Sequence, residues 1–201
     1  MKSAAWKQLK NAFCIEAEAL GLMGDFIARQ KQVFNRAVAA LAEAPRIGAS
    51  GCGHTGIACR HFAHLMCCIE RPARFIPPSE AVHGATGFLQ KGDVMLLASR
   101  GGKTAELLPI LDICKKKEVT VIGLTENPDS PLAKDSDIFL HLKITRETDK
   151  YNTQGTTSFT VMCAVFDALQ SALIEETNFS TDTFAVIHPG GAMGERLRKQ
   201  S

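Results

Sequence analysis

Trp6, Leu9, Phe13, Leu20 and Ile27 recur at spacings that a 3.6-residue turn places on or near one side. That pattern predicts a helix over residues 4–29, and a second helical stretch covers 32–42. The period then changes. Short apolar runs at 46–50, 73–77, 93–99, 120–125 and 138–142 alternate with helical windows at 55–68 and 103–117 and a short one near 130–134. Several runs are apolar at consecutive positions, as in Val94-Met95-Leu96-Leu97 and Val121-Ile122-Gly123-Leu124. A strand apolar on both faces is covered on both faces, so the pattern predicts a parallel sheet flanked by helices. A polar loop at 145–155 leads into a long helix, 156–176, and a short helix at 181–186 precedes His188-Pro189-Gly190-Gly191. The expected architecture is an α/β domain over residues 45–201 with an N-terminal helical arm over 1–44. The arm's apolar face has no obvious place in a five-stranded core, which points to packing against another subunit.

Composition narrows the class. Hydrophobic residues make up 45% of the 201 and charged residues 22%, enough to bury a core. A net charge of +2 gives no electrostatic footprint for duplex nucleic acid. No apolar stretch is expected to reach the roughly eighteen residues of a membrane span, and the N-terminus lacks a signal-peptide pattern. The seven cysteines are odd in number and form no C-x-x-C, so they read as buried small hydrophobes in a reducing cytosol. The competing reading is a zinc site from Cys59, His61 and His64, which lacks a fourth ligand and paired spacing. A cytoplasmic protein without nucleic-acid or membrane partners is expected.

In an open parallel sheet, ligands bind beyond the carboxyl ends of the strands. After the first strand comes Gly51-Cys52-Gly53-His54-Thr55-Gly56, a glycine loop opening a helix, suited to an anion. It also spells the dinucleotide fingerprint, but the second strand ends in Ile76-Pro77-Pro78-Ser79 rather than in the acidic residue that reading wants. His83 follows that strand, either as a loop or cap residue or as a functional group. After the third strand, Ser99-Arg100-Gly101-Gly102-Lys103-Thr104-Ala105-Glu106 offers hydroxyls, glycines and two cations to a phosphate. Glu106 is placed in the first turn of the following helix, where dipole compensation or a capping box with Lys103 is the plainer role. After the fifth strand come Glu147 and Thr156-Thr157-Ser158, substrate hydroxyls or helix caps. Two phosphate-suited loops beside histidines and carboxylates point to a small phosphorylated ligand.

The combination resembles the sugar isomerase (SIS) domain, and within it the arabinose-5-phosphate isomerases. The resemblance rests on Gly51–Gly56, Pro78-Ser79-Glu80-Ala81-Val82-His83-Gly84, the Ser99–Leu107 loop, Thr125-Glu126-Asn127-Pro128, Thr156-Thr157-Ser158 and His188-Pro189-Gly190-Gly191-Ala192-Met193-Gly194. It implies a five-stranded parallel sheet, a three-layer sandwich, in a homotetramer. It also implies interconversion of arabinose 5-phosphate and ribulose 5-phosphate, an entry step to lipopolysaccharide and capsule precursors, with no organic cofactor and no metal. Longer members of the family carry a pair of CBS domains, so this chain is expected to be a single-domain version. The catalytic set it implies is Glu106, His188, His83, His54 and Glu147. The phosphate ligands it implies are Thr55, Ser99 and Thr104, supplemented here by Gly101, Gly102 and Lys103. His54 stands where the family usually has lysine, Gly101 where it has serine, and Lys103 where it has glutamate.

An aldose–ketose isomerisation needs a base for a carbon-bound proton, a group that moves a proton between O1 and O2, and donors for the enediolate. Glu106 or His188 is expected as the base, with the other moving the hydroxyl proton. His83 would open the ring or hold a hydroxyl, and His54 and Glu147 would position the sugar. The alternatives are another phosphosugar in the same reaction type, or a non-catalytic sugar-phosphate regulator.

Overall fold

Alternate residues of the strands feed two separate cores, one on each face of a single parallel sheet. The computed structural model describes residues 3–198; residues 1–2 and 199–201, the outer ends of the expected arm and domain, lie outside the described residues. The strands are β1 (Ile47–Ser50), β2 (Ala73–Phe75), β3 (Val94–Ala98), β4 (Thr120–Thr125) and β5 (Ile138–His141), in the order β2-β1-β3-β4-β5. All four pairings are parallel, with Ile47 opposite both Ala73 and Val94. On one face Ile47, Ala49, Leu96, Ala98, Ile122, Leu124 and Leu140 meet α1 (Ser3–Ala28), α2 (Lys31–Glu43), α3 (Gly53–Cys68) and α7 (Thr157–Thr177). On the other, Met95, Leu97 and Val121 meet α4 (Pro78–Ala81), α5 (Leu108–Lys117) and α6 (Pro131–Asp135). This is the expected α/β sandwich, and continuous apolar strands are its sequence signature because both faces exclude water.

The arm has a place in this core after all. Ala19 and Met23 of α1 and Ala37 and Leu41 of α2 are fully buried with the strand residues. Gln30, between the two helices, pairs with both backbone groups of His141: its Nε2 donates to the carbonyl at 3.0 Å and its Oε1 accepts from the N–H at 3.1 Å. That amide extends the ladder at the β5 edge, which no strand covers. The N-terminal half of α1 is different: Trp6, Leu9 and Phe13 stay exposed.

By length and composition α7 could cross a membrane, which corrects the expectation that no stretch would. It spends its apolar surface inside the protein instead. Val161, Met162, Val165, Phe166, Leu169 and Leu173 are buried, and Phe166 packs its ring 4.9 Å from that of Phe62 on α3.

A second correction concerns the helix after β3. It starts at Leu108, not at 103, because Gly102 takes a φ of +67° and the segment to Leu107 turns, with Pro109 in the first helical turn. Glu106 therefore sits in a turn ahead of the helix, outside any capping box. Helix α4, a 3-10 turn at Ala85–Phe88 and helix α9 (Gly191–Arg198), which follows α8 (Thr181–Ile187), are too short to show a period in the sequence.

Of the seven cysteines only Cys59 and Cys114 are buried as read from the sequence; Cys52, Cys68 and Cys163 are half-buried and Cys14 and Cys67 are exposed, because they fall on helix faces or caps that the core does not cover. Burial, then the Asp137 charge, pushes the Cys114 thiol up to about 12. Burial, then Asp167, pushes Cys163 up to about 11, and burial raises Cys59 further still. Unfolded thiols ionise first, near 9.0, so their contribution to stability is complete below that pH and is lost as pH rises through the folded values. The melting temperature should fall between about pH 9 and 11, and Cys163→Ala should lessen the fall. Phe166→Ala should cost about 3–5 kcal/mol, read from the urea midpoint at unchanged m.

Candidate functional site

The strand order turns around between β1 and β3, so the loops after these strands diverge and leave a crevice between them. A cleft of about 450 Å³ opens there, lined by residues 51–53, Gly56, Ile57, Arg60, Phe75, Pro77, Pro78, Ser79 and Glu106. One wall is the start of α3. Gly53 takes a φ of +55°, and Cys52 gives α3 no side-chain cap, so its first amides face outward. Gly56 is there because a Cβ would come 2.6 Å from the Gly51 carbonyl oxygen. This is where an anion could meet the helix N-terminus.

Glu106 is exposed and faces this wall from the β3 loop. It shares the cleft lining with Cys52, the N-cap of α3, whose thiol is pushed up by burial and then by the Glu106 charge. Deeper in the β3 loop, the Ser99 and Thr104 hydroxyls bond each other at 2.7 Å, and Gly102 N–H donates to Ser99 Oγ at 3.1 Å. A side chain at Gly102 would overlap Ser130, and its carbonyl accepts from Leu132 N–H at 3.2 Å. Ser99, Gly101, Gly102 and Thr104 are thus brought together, with Lys103 exposed above them.

Arg100 turns away from the cleft. Its Nη1 donates to Glu147 Oε1 at 2.6 Å and its Nε to Glu126 Oε1 at 3.1 Å. Glu147 is fully buried, and its second oxygen accepts from Thr156 N–H, Thr156 Oγ1–H and Ser158 N–H at 2.9–3.1 Å. The carboxylate caps α7 and the threonines do not, the reverse of the capping read from sequence. Both Glu147 oxygens are engaged by protein donors outside the cleft. His54 stands on α3 with its ring 6.4 Å from that of Phe159, beside Gly155, and Thr55 follows it, half-buried.

The two remaining histidines are not gathered into this cleft. His83 is exposed, two residues past α4 and before Gly84, whose φ is +104°. His188 ends α8, its ring 5.0 Å from that of Phe184. Phe184 borders an apolar groove with Cys68 and Ile69, at the far end of α3. Helix α7, about 30 Å long at 1.5 Å per residue, separates that end from the cleft. Within one chain, Glu106 and His188 lie at opposite ends of the sheet.

The zinc reading finds no support among the described residues, where no three ligating side chains cluster. Cys59 Sγ donates to the Ser50 carbonyl, His61 pairs with Asp167 at 3.0 Å, and His64 meets Cys68. Sequence reasoning missed Arg60, which lies over the Phe75 ring at 4.0 Å and lines the cleft. Its signal was position, one helical turn beyond Gly56 on the same face of α3.

The family model for the SIS domain matches residues 40–172. The chain belongs to the SIS domain family. It is 38% identical over 157 residues to arabinose 5-phosphate isomerase KdsD of Pseudomonas aeruginosa, covering 78% of this chain and 48% of that protein. The chain thus spans about half the length of the curated relatives it matches. A solved Listeria monocytogenes structure superposes with a TM-score of 0.89 at 39% identity, covering 94% of this chain and 99% of that one. The E. coli CFT073 protein c3406 in complex with A5P superposes with a TM-score of 0.86 at 29% identity, covering 94% and 100%.

In this SIS domain Arg100 and Glu147 form a pair whose carboxylate has no access to water. Arg100→Met should destabilise the protein by about 3 kcal/mol, because it strands a buried charge. Adding Glu147→Gln should recover much of that loss, since an amide oxygen still accepts from α7, and a double-mutant cycle in urea measures the coupling.

Proposed function

We propose that this chain is a sugar-phosphate isomerase that interconverts arabinose 5-phosphate and ribulose 5-phosphate through an enediolate. The observation that carries the reading is the one cleft that Glu106 and the uncapped start of α3 line together. The SIS relatives support it: the Pseudomonas aeruginosa protein is named for this activity, and the E. coli CFT073 structure holds A5P.

In the forward direction a base removes the proton from C2 of the open-chain aldose, leaving an enediolate. The same proton, or one from water, returns to C1 while a proton passes from O2 to O1, and the product is the ketose. Glu106 is the group suited to the carbon-bound proton, since it lines the cleft and has no hydrogen-bond or ion-pair partner among the described residues. His188 is suited to the hydroxyl proton, and it must then come from a second copy of the chain, because its own α8 lies at the other end of the sheet. The reading therefore includes a homo-oligomer whose sites are shared, with tetramers as the family expectation. Outward N–H groups at His54 and Thr55 stabilise developing charge. The His54 side chain takes the place of the usual lysine as a donor to the sugar, with a charge that depends on pH.

Deuterium should enter C2 of arabinose 5-phosphate in D₂O as ribulose 5-phosphate appears by NMR. Glu106→Gln and His188→Ala should each lower turnover by about 10²–10⁴-fold while the melting temperature holds. Mixing the two inactive variants should restore activity, because a mixed assembly contains sites with both native groups. Near-wild-type turnover in both variants would remove the assignment, and binding without exchange would mean a sensor.

A further inference from the structure

Helix α1 runs for 26 residues, and the core holds it only from Ile15 onward, through Ile15, Ala19 and Met23. Its first half touches the body through Gln8, whose Nε2 donates to the Thr148 carbonyl. Trp6, Leu9 and Phe13 in that half are 60%, 50% and 74% exposed, and Leu20, further along, is 37% exposed. At 3.6 residues per turn these four fall within about 60° of arc, beside the buried face rather than on it. A helix that keeps a tryptophan, a phenylalanine and two leucines in water along one side carries a contact surface.

The second half of α1 offers the complement. Ala17, Gly21 and Gly24 are exposed and continue that side of the helix past Phe13. Glycine weakens a helix interior relative to alanine, yet a Cβ at Gly21 or Gly24 would meet nothing within 4 Å. Nothing inside one chain asks for glycine there, whereas a closely approaching neighbour does. Charge is divided in the same way. Lys7 and Lys10 lie in the first half and Glu16, Glu18 and Asp25 in the second. None of the five has an ion-pair partner among the described residues. Two such helices side by side in parallel would set lysine beside lysine. Turned antiparallel, they set the basic end beside the acidic end and the bulky side chains beside the small ones.

We infer that α1 pairs antiparallel with α1 of a second copy of this chain, about a two-fold axis near Phe13. Such a contact is self-complementary: each chain gives the same patch. In this register Phe13 meets its own counterpart, and Trp6 and Leu9 lie along the small-residue side of the other helix. Each free half then rests against the half that the other chain anchors to its core, so one contact covers both. The choice of a second copy rests on the homo-oligomer of the isomerase reading, while the geometry comes from α1. The seam lies on a different element from α8, whose His188 that reading sends to a neighbouring site. Two different contacts per chain are what an assembly larger than a dimer needs.

Trp6 is the only tryptophan in the sequence, so its emission reports on the seam. The test follows that emission, and assembly mass by sedimentation, over a dilution series of the full chain. Wild type should emit as a covered indole while assembled and shift to longer wavelength as it dissociates. Phe13→Glu and Gly24→Leu should each weaken association by about 100-fold and carry the emission shift with it. Phe13 is exposed and a side chain at 24 has open space, so the diluted variants should melt no lower than diluted wild type. With the exposed thiols removed as Cys14→Ser and Cys67→Ser, a short bismaleimide should link Phe13→Cys to itself. It should also link Trp6→Cys to Leu20→Cys in a mixture, but not Trp6→Cys to itself. Self-linking of Trp6→Cys would overturn the antiparallel register. An assembly whose Trp6 emits as a water-exposed indole, or whose mass ignores Phe13→Glu and Gly24→Leu, would overturn the seam and leave the isomerase reading standing. A monomer at every concentration would overturn the seam whatever its turnover. A covered Trp6 in a protein without turnover on arabinose 5-phosphate would remove the isomerase reading and keep the seam.

Discussion

A carboxylate buried away from water is costly unless donors meet it, and Glu147 has donors on both oxygens. Its requirement organises the carboxyl end of the sheet. One oxygen takes the Arg100 guanidinium and the other takes three donors at the start of α7. Arg100 belongs to the β3 loop and also holds Glu126, which follows β4. The same loop is fixed from its backbone, since the Arg100 carbonyl accepts from Thr125 Oγ1 at 2.8 Å and from Glu126 N–H at 3.1 Å. One ion pair thus ties the β3 loop, the β4 loop and the N-terminus of α7 into a unit. His54 inherits its position from that unit, because its ring rests near Phe159 in the first turn of α7.

The arrangement divides labour between two helix N-termini. Helix α7 is already neutralised by an internal carboxylate, while α3 keeps its amides free at the cleft. An incoming anion therefore has one direction to choose, and the glycines at 51, 53 and 56 let it approach the α3 backbone. The opposite end of the molecule is fixed by different means. Asp93 is fully buried there; its Oδ2 accepts from Gln90 N–H at 2.6 Å and lies 2.9 Å from Arg46 Nε as an ion pair. Buried carboxylates thus fix the chain at both ends of the strands, and the cleft opens at the carboxyl ends.

Much of the fold was legible because burial on both faces of a parallel sheet leaves runs such as Val94–Leu97 that no amphipathic helix would tolerate. The loops after each strand were legible too, since glycine and hydroxyl residues mark a backbone that must approach an anion. Helix α5 was misjudged at its start because Gly102, and not the apolar period, decides where the chain can turn, and Gly102 answers to Ser130 in a distant loop. Arg60 was hidden because a charged residue on an α3 face looks like solvent coating until Phe75 is brought beneath it. Arg100 was read as a phosphate ligand because nothing local reveals that Glu147, 47 positions later, is buried and requires it.

The sequence alone determined the elements, the parallel sheet and the positions of the two ligand loops, since these follow from apolar period and local backbone freedom. Tertiary structure decided which polar groups remain available. Arg100, Glu147, Ser99 and Thr104 are drawn into satisfying one another, whereas Arg60 and Glu106 are left facing the cleft. That allocation depends on which buried atoms lose their water, a property of the packed molecule and of no single stretch of the chain. It also set His188 beyond the far end of α7, away from the carboxylate it was expected to join, because the direction of α7 becomes a separation only once both of its ends are fixed against the sheet.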